Sequence, residues 1–156
     1  KGGVDYEVIR KTKESIHIPL VAGGDLMSVA SAVKMFEYTG CDLLNIARGA
    51  LGNPWIFREL ESLSSYLPSQ SYPSSDEICR VMRKHLDMCV NFYGEKIGVV
   101  NFRKFFGWYT KGFRRVRSLR EKSSVAKTKE AMFSLIDECV MNEATKKPHL
   151  PGVFCR

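Results

Sequence analysis

The sequence predicts an α/β chain in which parallel βα units give way to a small all-α bundle. Three observations carry this. Two short apolar runs each end in a glycine-containing loop, helical patterns flank both runs, and no strand pattern appears after residue 60.

The elements follow in order. Val4, Val8 and Ile9 among charges mark an amphipathic helix over 4–14. Ile16 to Ala22 is a buried strand, with Pro19 near its start, where a missing N–H is tolerated, and Gly23-Gly24-Asp25 as its stop. Asp25 or Ser28 caps a helix through Tyr38, with Val29, Ala32, Val33 and Phe36 on one face and Gly40 as terminator. Asp42 to Ala47 is a second buried strand, ending in Arg48-Gly49-Ala50-Leu51-Gly52, and Pro54 opens the next helix. Residues 62–75 are rich in Ser and Pro and read as a linker. Beyond it, a long helix starts at Ser75, offers Ile78, Met82, Leu86, Met88, Cys89 and Phe92 to a core, and stops at Gly94. Two further helices, over 98–109 and 125–140, are joined by a basic segment. The last places Ala131, Leu135 and Cys139 at helical spacing beside Met132 and Ile136.

Two strands cannot form a free-standing parallel sheet covered on both faces. The first half therefore reads as the last βα units of a (β/α)8 TIM barrel. The expected organisation is a barrel portion over 1–61, a linker over 62–75 and a helical domain over 76–156. A chain beginning at Lys1 fits a piece of a longer protein.

The 156 residues are 44% hydrophobic and 26% charged. That composition excludes disordered, collagen-like and disulfide mini-protein classes, and no apolar run approaches the ~20 residues of a membrane span. Cys41, Cys79, Cys89, Cys139 and Cys155 form no CxxC, and His17, His85 and His149 match no ligand spacing, so no metal is expected. Cys79 and Cys89 read as small buried apolar residues.

The net charge of +7 is concentrated. Arg103, Lys104, Lys111, Arg114, Arg115, Arg117, Arg120 and Lys122 stand against Glu121 alone within residues 103–122. Such a patch attracts polyanions, although a solvated helix face has the same appearance.

In parallel barrels, ligands sit at the C-terminal strand ends, and the last two loops often hold phosphate. Gly23 and Gly24 would let backbone N–H groups approach an anion, and Arg48 with Gly49 offers a guanidinium fork and a further donor. Either motif alone is commonly a turn or a surface ion pair. At matched positions in consecutive βα units, together they favour one phosphate site, with Asp25 capping or orienting a neighbour.

At these residues the sequence resembles the flavin-dependent tRNA-dihydrouridine synthases. The match runs through Ile18-Pro19-Leu20-Val21-Ala22-Gly23-Gly24-Asp25, Thr39-Gly40-Cys41-Asp42 and Ala47-Arg48-Gly49-Ala50-Leu51-Gly52-Asn53-Pro54-Trp55-Ile56-Phe57. It continues through His85, Tyr93-Gly94-Glu95, Arg103-Lys104 and Trp108-Tyr109. Gly23 stands where the family usually has Asn, and Ala47 where it usually has Gly.

The resemblance implies a cytoplasmic or organellar FMN flavoprotein that uses NADPH to reduce uridine to 5,6-dihydrouridine in tRNA. It places Gly23, Gly24, Ala47, Arg48 and Gly49 around the FMN phosphate. It places Arg103 and Lys104 near an RNA-facing surface, which the charge of Lys111, Arg114, Arg115 and Arg117 would extend, and it offers Trp108 and Tyr109 as stacking or core aromatics. The family's catalytic cysteine belongs to the earlier part of the barrel, so no catalytic residue is assigned here, and the isolated chain should be inactive. Two alternatives remain open: a non-catalytic RNA-binding module, and another flavin- or phosphate-binding barrel oxidoreductase.

Overall fold

The computed structural model describes residues 3–64, 72–113 and 115–144. Arg114, His149 and Cys155 lie outside them. The chain divides into two compact units, 1–71 and 72–156.

The first unit contains α1 (Tyr6–Ser15), β1 (Val21–Gly23), α2 (Val29–Thr39), β2 (Leu43–Asn45), a 3-10 turn (Arg48–Ala50) and α3 (Ile56–Ser64). Asp5 caps α1, its carboxylate accepting from the Glu7 and Val8 N–H groups at 3.0 and 3.1 Å. The strands pair in parallel, Val21 with Leu43, Ala22 with Leu44 and Gly23 with Asn45. The pair is anchored by Asp42. One of its carboxylate oxygens accepts from the Leu20 N–H and from Lys13 Nζ, both at 2.7 Å. First the backbone donor and then the lysine hold this carboxyl below the usual range.

Both strands are shorter than the sequence suggests, because a ladder lasts only where two chains run side by side. Ile16 is the C-cap of α1 and Ile18 is exposed. One sheet face packs Ala22 with Leu26, Met35 and Cys41, against partly buried Val4, Tyr6, Ile9, Leu20, Leu44 and Ile46. Val21 (55% exposed) and Leu43 (59%) lie bare.

In α2 the cap is Ser28, in a reciprocal pair with Ser31, rather than Asp25. Gly40 ends the helix in the left-handed conformation. Its buried face is Ala32, Met35 and Thr39, which leaves Phe36 exposed. The i, i+3, i+7 row containing Met35 won over the row containing Phe36. In α3 the helix begins at Ile56, two residues past Pro54, and its last three residues, 62–64, belong to the stretch read as linker. Residues 65–71 of that stretch lie outside the described residues.

The second unit contains α4 (Ser75–Tyr93), α5 (Glu95–Tyr109), α6 (Arg117–Val125) and α7 (Lys129–Ala144). Ser74 caps α4, one residue before the expected start. Helices α4 and α5 form a close antiparallel pair. A Cβ on Gly98 would lie 2.7 Å from the backbone of Cys89 and Val90, so glycine is what lets the two backbones meet. Ile78, Met82, Leu86 and Cys89 are buried as expected, whereas Met88 and Phe92 (80% exposed) are not. Cys79 is only half-buried, its thiol 3.7 Å from Asp137 Oδ1. On α7, Met132, Leu135, Ile136 and Cys139 are buried while Ala131 is exposed.

The basic segment is not simply a connection. It contains α6, which buries only Leu119 and Ser123 and so lacks the apolar stripe that announces a helix. Among the described residues, no helix is long and apolar enough to cross a membrane, and no three His, Cys, Asp or Glu side chains gather to hold a metal ion.

Candidate functional site

Parallel pairing puts the ends of β1 and β2 side by side, so the two glycine-containing loops emerge together. Gly24 turns the chain at φ +127, a conformation that L side chains rarely adopt, and a Cβ there would meet Val4 at 2.6 Å. Asp25 follows with φ +49, and Leu26 drops into the core as the loop's anchor. From the other strand, Gly49 packs where any Cβ would overlap the Leu26 carbonyl oxygen. The loops are in direct backbone contact, and Gly49 is the residue that permits it.

Arg48 and Asp25 complete the junction. Arg48 Nη2 donates to Asp25 Oδ1, and the arginine side chain remains 68% exposed. Asp25 thus orients a neighbour. The pair stands in water, where Coulombic attraction is weak, so it steers the guanidinium more than it stabilises the fold. Ala47 lies at φ −102, where its methyl is accommodated. No side-chain hydrogen bond caps the first turn of the Arg48–Ala50 helix among the described residues. Gly23 faces Asn45 across the ladder, and a Cβ on Gly23 would sit 3.0 Å from the Asn45 carbonyl oxygen. Gly23, Gly24, Ala47, Arg48 and Gly49 therefore converge. Their glycines serve mainly the approach of one loop to the other. The chemistry of an exposed, oriented guanidinium beside two glycine-containing turns fits a phosphate monoester such as that of FMN.

The second unit divides its cations into two kinds. Arg103 is half-buried, and its Nε and Nη2 donate to the Ala126 carbonyl oxygen at 3.2 and 2.6 Å, closing the end of α6. Arg120 donates from Nε to Thr110 Oγ1 at 3.1 Å and from Nη2 to the Thr110 carbonyl at 2.6 Å, closing the end of α5. Both place positive charge where a helix dipole is negative. Arg103, expected to face RNA, is thus engaged inside the bundle. Lys104, Lys111, Arg115 and Arg117 are exposed. Lys104 Nζ lies 5.2 Å from the Phe105 ring centre. Arg117, 95% exposed, faces Glu121 at 3.3 Å. Arg115 and Arg117 line a shallow concavity with Phe113, Val116, Arg120, Glu121 and Ser124.

Other residues singled out in the sequence act as joints. His85 Nδ1 is 3.2 Å from the Tyr109 hydroxyl, and its ring meets Phe102, Phe105 and Tyr109. Burial lowers the His85 pKa and raises that of Tyr109. Trp108 is half-buried edge-on against Phe105. Glu95 accepts from the Lys129 N–H at 2.9 Å at the start of α7. The pairing of Thr110 with Arg120 carried no sequence signal, since it spans a corner of ten residues.

Comparison with known proteins points to one family along most of the chain. The family described as dihydrouridine synthase (Dus) matches residues 1–145. The chain is 35% identical over 136 residues to tRNA-dihydrouridine synthase B of Pasteurella multocida, covering 86% of this chain and 41% of that protein. It is 36% identical over 149 residues to tRNA-dihydrouridine synthase B of Shewanella oneidensis, with 91% and 45% covered. With a probable tRNA-dihydrouridine synthase of Mycobacterium tuberculosis it shares 33% over 137 residues, 87% and 35% covered. The chain spans less than half the length of these curated relatives. On the extent of that family match, the chain belongs to the dihydrouridine synthase family.

Proposed function

We propose that this chain is the C-terminal portion of an FMN-dependent tRNA-dihydrouridine synthase, acting in the cytoplasm or in an organelle with its own tRNA. Residues 1–61 supply the last βα units of a (β/α)8 barrel, and 76–156 supply a helical domain that grips tRNA. The observation that carries the reading is the Arg48–Asp25 junction at two adjacent parallel strand ends, with Gly49 seated on the Leu26 carbonyl. The bare sheet face of Val21 and Leu43 supports it too, since those side chains would fill a closed barrel.

FMN, when bound and reduced by NADPH, would supply the hydride for the uracil ring, and an acid of the preceding barrel segment would supply the proton that completes 5,6-dihydrouridine. Toward it, this chain contributes binding. Arg48 holds the phosphate, Asp25 orients Arg48, and the turn amides near Gly24 and Gly49 add donors. Lys104, Lys111, Arg115 and Arg117 attract the tRNA backbone, giving affinity rather than base reading.

Two measurements test this. In the protein that carries the preceding barrel segment, Arg48→Ala should weaken FMN binding roughly 10- to 100-fold, the range of a lost charge-assisted hydrogen bond. Unchanged flavin retention would remove Arg48 from the site. Filter binding of tRNA to the 156-residue chain should weaken steeply with salt. A flat salt series would remove the RNA assignment of the helical unit. The isolated chain should retain little FMN and reduce no uridine.

A further inference from the structure

The two half-buried arginines of the basic segment form a reciprocal arrangement. Arg103 sits on α5 and holds the carbonyl at the end of α6. Arg120 sits on α6 and holds the carbonyl at the end of α5. Each helix thus closes the other's C-terminus, and the corner between them is tied at both ends. Thr110, fully buried, is the central post. Its hydroxyl donates to the Phe106 carbonyl at 2.8 Å and accepts from Arg120 Nε, while its carbonyl receives both Arg120 and the Phe113 N–H.

The corner needs that support. It reverses through Gly112 at φ +93 and Arg115 at φ +55, the latter in a region that L side chains other than Asn and Asp rarely enter. Immediately beyond it stands Arg117, and the exposed Arg115 and Arg117 line one concavity with Arg120 and Glu121 at its wall.

We infer that Arg103 and Arg120 are positioning residues for RNA: they hold the α5–α6 corner so that Arg115 and Arg117 grip phosphates, and they do not grip phosphates themselves. The inference rests on the RNA reading proposed above. A cationic loop that is already ordered avoids the entropy of ordering on binding, which is why an internal clamp raises affinity without adding charge. Arginine is required for this. Its planar fork reaches the Thr110 hydroxyl and carbonyl together, which a lysine ammonium does not reproduce.

The test separates position from charge. In the 156-residue chain, Arg117→Ala should reduce the slope of log affinity against log salt by about one contact's worth, roughly 0.7–0.9. Arg120→Lys keeps the charge, yet should lower the slope by about twice that and accelerate amide exchange across α6. Thr110→Val alters a residue that RNA cannot touch and should lower affinity in the same way. Thr110→Ser keeps the hydroxyl and should restore it. Far-UV circular dichroism identifies folded variants, and if Arg120→Lys unfolds, the Thr110 pair decides. Wild-type affinity and slope in Arg120→Lys or Thr110→Val would overturn the inference while leaving the RNA reading intact. A wild-type chain with no salt-dependent tRNA binding would overturn both.

Discussion

The two units differ in the size of the core they bury, although each leaves large apolar residues exposed, Phe92 and Val125 in one and Val21 and Leu43 in the other. In the helical unit, Leu86, Val99, Phe102, Phe106, Met132 and Ile136 are all fully buried. In the α/β unit the cluster against the sheet is Ala22, Leu26, Met35 and Cys41, with Ala32, Trp55 and Ile56 also buried, and Val21 and Leu43 stand in water on the other sheet face. The difference follows from architecture. A helix hairpin with two more helices closes its own core. A parallel strand pair must be covered on both faces and extended at its edges before its alternating side chains are all enclosed. The helical unit should therefore carry the stability of this chain, and the α/β unit should carry the cofactor chemistry only in a larger barrel.

The largest test of that contrast is truncation of equivalent apolar residues. Phe106→Ala should destabilise the chain by about 3–5 kcal/mol in urea unfolding, whereas Val21→Ala, already in water, should stay within about 0.5 kcal/mol. Equal losses would overturn the contrast.

Backbone approach gives a smaller effect that differs in its readout. Gly98→Ala should cost about 1–3 kcal/mol, since the methyl meets the backbone of α4. Gly49→Ala drives its methyl into the Leu26 carbonyl, so in the protein with its whole barrel it should release FMN and should affect the melting temperature less. If Gly49→Ala retains flavin as the wild type does, the loops are not the phosphate site.

The smallest effect is on pH, and the units should respond in different windows. His85 is depressed by burial, so below its ordinary value near 6.5 the unfolded chain binds the proton first. Stability of the helical unit is then complete above about pH 6.5 and falls as pH drops from there toward the folded value. Asp42 is also depressed, but from a carboxylate's ordinary value near 3.9. Its contribution persists until about pH 4 and is lost on further acidification through its folded value. Denaturant midpoints between pH 3 and 8 for His85→Gln and Asp42→Asn should each erase one window only. Loss of both windows in one variant would contradict the assignment.

Much of this order was legible beforehand because apolar periodicity and glycine stops are local signals. The apolar runs from Ile16 to Ala22 and from Asp42 to Ala47, the Gly40 stop and the long helix begun at Ser75 and stopped at Gly94 all rest on such signals. What escaped notice depends on distant partners. Helix α6 is short of apolar residues, and it is tied by Arg103 and Arg120, whose acceptors are carbonyls at Ala126 and Thr110. Charge counting treated all eight cations of 103–122 alike, because a sequence does not reveal which guanidinium a backbone carbonyl has claimed. Similarly, Phe36 and Phe92 look like core residues by type, yet the neighbouring rows containing Met35 and Cys89 take the interior. The Arg48–Asp25 pairing required knowing that the two strands run in parallel with Gly23 beside Asn45.

The carboxylate of Asp42 has a geometric consequence beyond its acidity. By receiving the Leu20 N–H and the Lys13 ammonium on one oxygen, it fixes where β1 begins relative to β2. A slip of one residue would move one strand about 3.3 Å along the other and exchange its inward and outward side chains. Leu44 would leave the core, and Arg48 would travel away from Asp25. The alignment of the Arg48–Asp25 end is thus set at the opposite end of the sheet, by a carboxylate that takes no part in that pair.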